Sequence, residues 1–472
     1  MGGDRALRAA VVGAGPSGFY AAEALLREGF RVDLFDALPT PFGLVRAGVA
    51  PDHPKIKAVT RVFDRTAARP GFRFLGGVEV GGEIAVEQLR ERYEAVVLAV
   101  GAPDDARLGI PGEEADGSSS AGAFVAWYNG HPDAADARFA LDAERAVVVG
   151  NGNVALDVAR MLLLGGDRLA RTDVAEHALD ALAGATVREV VVLGRRGPAQ
   201  AAFTTPELAE LGRLDGVTVK VDAAQLALDR DSAAAVAADP DLEQRIALLR
   251  GYAGRRQAGD RTIALRFLRS PTEIVTEGGR VAGVRVAVNT LERVDGGRLA
   301  IRDTGARETI DCGLVLRAVG YRGRKLPGVP FDPGRGLIPN RGGRVLDDAG
   351  RPLPGAYAAG WCKRGPSGVI GTNKQCAAET VAAIVADRDA GRLPAHAGAA
   401  ADDAALDVWL SERCPHAIGW EGWTAIDAHE RAAGSAAGRP RVKLVRRDRL
   451  RLAAGGAVRR DRHHATAEEN GA

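Results

Sequence analysis

A short apolar strand, a glycine-rich turn and a helix follow one another at the start of this chain, and the same succession returns near residue 146. A third glycine-rich stretch precedes a helix near residue 374. These three observations predict an α/β fold with two Rossmann-like dinucleotide-binding domains on parallel sheets. The length of 472 residues allows about three domains or fewer. A content of 46% hydrophobic and 26% charged residues belongs to a globular chain with a large core. Glycine, at 60 residues, is the informative excess, and it lacks the period of collagen.

The first unit runs from Leu7–Val12, an apolar strand, through Gly13-Ala14-Gly15-Pro16-Ser17-Gly18 to a helix over Phe19–Leu26. A second strand, Arg31–Phe35, ends at Asp36. Glycines at these positions permit a tight turn and the approach of a diphosphate to the N–H groups of the helix start. Asp36, eighteen residues past Gly18, stands where a carboxylate accepts hydrogen bonds from ribose hydroxyls. The plainer alternative is a glycine turn kept for helix–strand packing. A Pro- and Gly-rich loop follows over Leu38–Pro54, then a helix over Lys55–Ala68 and strands at Phe72–Val80 and Ala95–Val100. Gly101–Gly122 reads as a linker.

The second unit has a strand at Ala146–Val149, the turn Gly150-Asn151-Gly152-Asn153-Val154-Ala155 and a helix from Val154 to Leu164. Its next strand, Val187–Leu193, ends in Gly194-Arg195-Arg196-Gly197. An acid at this place suits ribose hydroxyls, whereas two guanidiniums suit a 2′-phosphate, which points to NADPH over NADH. An arginine pair solvating a loop is the bland counterpart. Glu207, twelve residues past Arg195, is placed to orient one of these arginines or a ribose, or is a surface carboxylate. Asp229–Gly259 reads as surface helix and loop, followed by strands at Arg261–Leu268, Val281–Val288 and Leu314–Val319. From Gly360 to Asn373 the third glycine-rich stretch leads into a helix over Lys374–Asp387. Two dinucleotide sites in one chain suggest FAD, held tightly, and NADPH, exchanging, because a flavin takes both electrons of a hydride and releases them singly.

Several classes are disfavoured. Sixty-three basic against 61 acidic residues leave +2, too little for a global attraction to nucleic acid. No apolar run is long enough for membrane insertion, and Met1–Arg8 lacks the apolar core of a secretory signal, so a cytoplasmic protein is expected. Cys312, Cys362, Cys376 and Cys414 never fall in a C-x-x-C spacing. That disfavours a disulfide framework, a zinc or iron–sulfur site and a redox dithiol, and no metal is expected. Between Arg439 and Arg451 seven basic residues face one acid, Asp448, as a solvated face or a basic rim for an acidic partner. Trp420 and Trp423 read as core anchors. Residues 456–472, polar and poor in apolar side chains, are expected to be disordered.

Over about residues 7–451 the chain resembles the adrenodoxin-reductase-like family of NADP-dependent ferredoxin reductases. The resemblance rests on five blocks in one order: Pro39-Thr40-Pro41-Phe42-Gly43-Leu44-Val45-Arg46 with Gly48-Val49-Ala50-Pro51-Asp52-His53-Pro54; Gly152 to Arg160; Gly194 to Pro198; Phe267 to Ile274; and Gly360 to Lys374. It implies an FAD domain assembled from residues 1–103 and 323–455, with an NADP domain, 104–322, inserted between them. Beside the Gly13, Gly15, Ser17 and Gly18 turn, it places Ala14, Asp36, Leu44, Val80, Trp361, Gly368, Val369 and Ile370 against FAD. It places Asn151, Gly152, Asn153, Val154, Ala155, Arg195, Arg196 and Glu207 against NADPH, with Gly368 also near. His53, Asp157 and Glu210 match positions near the flavin or nicotinamide that influence electron transfer.

Two departures stand out. Asp36 replaces a commoner, longer Glu, and Ala47 stands where an aromatic is common. The implied activity is hydride transfer from NADPH to FAD, then single-electron transfer to a ferredoxin or similar acidic iron–sulfur protein. Arg250, Arg255 and Arg256 are the candidates for docking it. An NADPH diaphorase or quinone reductase without a dedicated protein partner, and a redox-silent NADPH sensor, keep the same cofactor motifs. For purely structural counterparts, His53 would be a turn histidine and Asp157 a solvated helical acid.

Overall fold

The structure, a computed structural model, describes residues 6–256, 259–294, 298–368, 370–396 and 402–455. Val369 and the 456–472 tail, two subjects of the sequence reading, lie outside the described residues. Seven strands make the first sheet, in the order Asn340–Arg341, Arg344–Leu346, Pro352–Ala358, Ala95–Leu98, Arg8–Val12, Arg31–Asp36 and Phe72–Gly76. The last five pair in parallel. Val11, Leu34 and Val97 are completely buried, as uninterrupted apolar strands of a parallel sheet covered on both faces must be. The strand Pro352–Ala358 beside Ala95–Leu98 brings a late segment of the chain into a sheet begun by its first hundred residues.

The second sheet has six parallel strands: Ser118–Ser120, Leu314–Arg317, Arg145–Val149, Glu189–Leu193, Arg261–Arg266 and Val217–Val221. The chain leaves the first sheet and returns to it through Asp104–Asp105 and Tyr321–Arg322, and these two segments pair antiparallel. Arg269–Glu277, Arg280–Arg293 and Leu299–Asp311 form a separate antiparallel sheet.

Three local expectations need correction. The helix expected over Lys55–Ala68 is two helices, Pro54–Lys57 and Thr60–Ala67, because the N–H groups of Val59, Arg61 and Val62 bond three residues back. The segment 101–122 is no free linker. Buried Glu113 accepts from the N–H groups of Leu108 (2.7 Å) and Gly109 (2.8 Å), and Ser118–Ser120 joins the second sheet.

The basic run after Arg439 is mainly a strap rather than a solvated face or a rim. Arg439 donates to the carbonyls of Thr172 (3.2 Å) and Val174. Arg441 binds Asp427 (2.7 Å) and Glu430 (3.0 Å), Arg446 binds Asp136 (2.6 Å), and Arg447 binds Asp133. Lys443, 1% exposed, lies 3.3 Å from Asp173, whose carboxylate also holds Lys57 at 2.6 Å. Only the apolar stems of such side chains tolerate burial freely, so each head group has been given an acceptor. Arg449 and Arg451 remain exposed.

Burial pushes the Asp173 carboxyl up, but Lys443 and Lys57 outweigh it and hold its pKa down to about 2, against an ordinary 3.8. Burial lowers both ammonium groups, Lys443 the more strongly. A carboxyl with a depressed folded pKa stabilises the fold above pH 3.8 and loses that contribution as the pH falls toward 2. Asp173→Asn should therefore cost about 3 to 5 kcal/mol at pH 7 in denaturant unfolding. The deficit should narrow in acid and shrink in a Lys443→Met background, which removes an unpaired cation.

Candidate active site

The two glycine turns are built alike. A Cβ on Gly13 (φ +106) would stand 2.4 Å from the Ala99 carbonyl oxygen, and one on Gly150 (φ +126) 2.2 Å from that of Ala318. No side chain fits at either place. Gly15 and Gly152 directly precede the helices Pro16–Arg27 and Asn153–Leu163, neither of which has a side-chain cap. A Cβ on Gly15 or Gly152 would meet nothing within 4 Å. Each helix therefore opens its positive end onto free space, which fits a diphosphate lying against the turn. Ala155, in the third position of the second turn, is buried against the sheet, and Val154 beside it is half-buried.

Around the first turn, Ala14 donates its N–H to Asp36 (2.7 Å), which also accepts from Leu38 (2.8 Å). Burial raises the Asp36 pKa to about 6 against these two backbone bonds. Each of its oxygens keeps a second lone pair. Phe42, at φ +84, donates its N–H to the Ala14 carbonyl (2.8 Å). Its ring lies 5.5 Å from Phe19, 5.9 Å from Phe63 and 5.4 Å from Trp423. This aromatic cluster clamps the Pro39–Arg46 block over the turn and leaves Leu44 44% exposed. Ser17 donates to Asn373 (3.0 Å), tying the turn to the helix Ile370–Asp389, which begins just after Gly368 (φ +80). Trp361 stacks on Tyr321 at 5.5 Å, and its buried indole N–H has no acceptor among the described residues. Such an orphan donor fits a ligand oxygen or nitrogen. Val80 is buried, bridged to Ile84.

The Arg195-Arg196 loop is fixed through its backbone. Leu268 donates its N–H to the Arg196 carbonyl (3.0 Å), Arg269 to that of Gly194 (2.9 Å), and Asn289 Nδ2 to that of Arg195 (2.9 Å). The two guanidiniums stay exposed, with no partner among the described residues. A rigid loop carrying two free forks is suited to a phosphate. Asn151 and Asn153 organise the next segment. The Asn151 carbonyl accepts from Ala202 (3.1 Å) and Phe203 (3.0 Å), and Asn153 Oδ1 from Thr204 (2.8 Å), which fixes the start of the helix Thr205–Leu211.

That helix carries Glu207 and Glu210 into a charged cluster at the junction of the sheets. Glu210 lies 2.7 Å and Glu207 3.8 Å from His53 Nε2. Arg160, 2% exposed, binds Asp52 through Nε (2.7 Å) and NH2 (3.1 Å). Its NH2 also lies 2.8 Å from Asp157 and 2.8 Å from His53 Nε2. Burial raises the Asp157 carboxyl despite Arg160 and His53, and burial followed by Asp157 raises that of Glu207. The carboxylates outweigh burial and keep Arg160 protonated. His53, Glu207 and Glu210 have ligand atoms within 4.8 Å of one another, but the Arg160 NH1 stands 3.8 Å from both glutamates and already supplies their cation. His53, Asp157, Glu207 and Glu210 thus meet in one place. Asp52 and Arg160 complete it; both lie within the sequence blocks that carry the family resemblance, Arg160 three residues after Asp157 on one helix face.

The fold and the cluster define a two-site pyridine-nucleotide oxidoreductase, and residues 7–193 match the family model described as pyridine nucleotide-disulphide oxidoreductase. The chain is 49% identical over 448 residues to the NADPH-ferredoxin reductase FprA of Mycobacterium tuberculosis, covering 92% of this chain and 96% of that one. It is 43% identical to the mitochondrial NADPH:adrenodoxin oxidoreductase of Bos taurus, covering 92% and 89%. The solved structure of Mycobacterium tuberculosis FprA in complex with NADPH superposes with a TM-score of 0.90 at 47% identity, covering 96% of this chain and all of that one. The chain belongs to the adrenodoxin-reductase-like family of NADP-dependent ferredoxin reductases.

The glycine geometry separates folding from binding. Gly15→Ala and Gly152→Ala should each change unfolding free energy by less than about 1 kcal/mol while abolishing dinucleotide retention at the altered turn. Gly13→Ala should instead destabilise the fold itself. Denaturant unfolding beside cofactor stoichiometry checks all three.

Proposed function

We propose that the protein takes hydride from NADPH onto a bound FAD and passes single electrons to a ferredoxin-type iron–sulfur protein. The observation that carries this reading is the pair of uncapped, glycine-led helix starts on two sheets joined through one charged cluster. FAD belongs to the first turn, with Gly13, Ala14, Gly15, Ser17, Gly18 and Asp36 around its diphosphate and ribose. Leu44, Val80, Trp361, Gly368 and Ile370 complete that site. NADPH belongs to the second turn, over Asn151 to Ala155, with Arg195 and Arg196 on its 2′-phosphate. Bound FAD supplies two-electron acceptance and one-electron release.

The chain contributes binding, alignment and charge. Both carriers sit on helix starts of rigid sheets, so hydride transfer gains from proximity and orientation. His53 and Glu210 hold a proton at the junction, and Asp157 and Glu207 add negative charge there. Such charge favours the oxidised, cationic nicotinamide over the neutral reduced ring. With much of the basic run consumed as a strap, Arg250, Arg255 and Arg256 are exposed candidates for an acidic partner, Arg255 resting 4.8 Å over the Tyr252 ring. No helix among the described residues is long and apolar enough to cross a membrane. The four buried, unpaired cysteines suit a reducing compartment such as the cytoplasm.

NADPH-driven reduction of cytochrome c should rise at least tenfold when an acidic ferredoxin is added, and that gain should fall as salt rises. An equal rate without ferredoxin would mark a diaphorase, and no turnover a sensor. Arg195→Ala with Arg196→Ala should raise the KM for NADPH well beyond tenfold and leave NADH nearly unaffected, each lost charged hydrogen bond costing about 1.5 to 3 kcal/mol. Equal losses with both nucleotides would contradict the 2′-phosphate role.

A further inference from the structure

Asn373, the fourth residue of the helix Ile370–Asp389, has its side-chain oxygen claimed twice. Arg364 NH2 lies 2.9 Å from Oδ1 and can only donate, so the atom facing it is the amide oxygen and not the nitrogen. Ser17 Oγ lies 3.0 Å from the same atom, so the hydroxyl donates its single hydrogen there. These two donors fill both lone pairs of Oδ1 and settle which way the amide faces. The guanidinium is tethered in turn, its NH1 donating to the Ser367 carbonyl. Gly360 (φ +77) closes one side of the pair, since a Cβ there would stand 2.2 Å from Ser17 Oγ. What remains is the Nδ2 group, a donor on a side chain only 9% exposed, with no acceptor among the described residues.

The place of that donor matters. Ser17 is the second residue of the helix Pro16–Arg27, on the turn that takes the FAD diphosphate, while Gly368 and Ile370, beside the flavin ring, stand just before Asn373. An FAD that joins these two places passes the Ser17–Asn373 pair at its flavin-side phosphate. The Ser17 hydroxyl commits its hydrogen to Oδ1 and has none left for an anion, whereas the amide nitrogen beside it has both of its own. We propose that Asn373 Nδ2 donates to the flavin-side phosphate of FAD, with Arg364 as the positioning residue that turns the amide that way. This rests on the FAD reading of the first turn and adds to it a side-chain contact from the late segment of the chain. Backbone N–H groups at the uncapped start of Pro16–Arg27 hold the diphosphate from one helix, and Asn373 holds it from the other. A hydrogen bond to an ionised oxygen is stronger than one between neutral groups, so a single amide there weighs on cofactor retention.

Asn373→Asp separates this contact from a purely structural bond. The variant keeps an oxygen for Ser17 and Arg364, and the second contact becomes an ion pair, but an anionic oxygen without a hydrogen replaces Nδ2. The full chain should therefore fold as the wild type by circular dichroism, while its FAD dissociation constant, read by flavin fluorescence titration, should rise about a hundredfold or more. Arg364→Met, which frees the amide to turn over, should raise the same constant about tenfold, the worth of one hydrogen bond, and Arg364→Lys, which still donates, should restore it. A folded Asn373→Asp protein that binds FAD as the wild type does would overturn the proposal, and an Arg364→Met protein that does so would remove the positioning role. Should Asn373→Asp fail to fold, a crystal structure of the FAD-loaded wild type decides: Nδ2 should lie about 3 Å from a phosphate oxygen, and Nδ2 turned to water or to a ribityl hydroxyl would overturn it. A wild type that takes up no FAD at all would unseat the FAD reading itself, and this contact with it.

Discussion

The Arg160–Asp52 ion pair is the contact on which the arrangement turns. Arg160 stands on the helix that follows the second glycine turn, and Asp52 on the loop that closes over the first. A guanidinium removed from water is tolerable only where carboxylates and hydrogen bonds replace its hydration, and here Asp52 and Asp157 do so. The partners come from different sheets, so their requirement for each other is also a requirement on how the sheets meet. The strap reinforces the same junction at a distance, with Lys57 and Lys443 converging on Asp173 and Arg439 on the Thr172 and Val174 carbonyls. Hydride transfer needs two rings in contact at a fixed angle, and a junction closed by buried ion pairs is a direct way to hold it.

The charge balance at this junction is uneven. Asp52, Asp157, Glu207 and Glu210 face one guanidinium and one imidazole. Burial with neighbouring carboxylates raises Asp157 and Glu207, so the cluster is disposed to keep a proton. A chain that is nearly neutral overall thus gathers four carboxyl groups around one guanidinium and one imidazole, where partial burial makes each charge weigh more than on the exterior.

Much of this was legible in the sequence. The two glycine turns, the flanking strands and the arginine pair are encoded locally, in residues a few positions apart, and periodicity finds them. The meeting of His53, Asp157 and Glu210 followed from family resemblance, because no local pattern joins residues a hundred positions apart. Asp52 and Arg160 were hidden for the same reason: each resembles an ordinary surface charge until the two sheets are placed together. The strand Leu299–Asp311 escaped notice because most of its side chains are exposed and it lacks the alternation that marks a half-buried strand. The strap misled because a run of arginines and lysines carries no sign of the separate carboxylates and carbonyls that absorb it.

The central claim is that one chain brings two dinucleotides into contact and passes hydride between them. Its most direct measurement is the visible absorption spectrum of the purified protein, titrated anaerobically with NADPH. The account predicts a yellow protein whose flavin band bleaches with about one equivalent of NADPH, by the two-electron stoichiometry of hydride transfer. A preparation that stays colourless after FAD is supplied, or a flavin band that NADPH leaves unchanged, would contradict it.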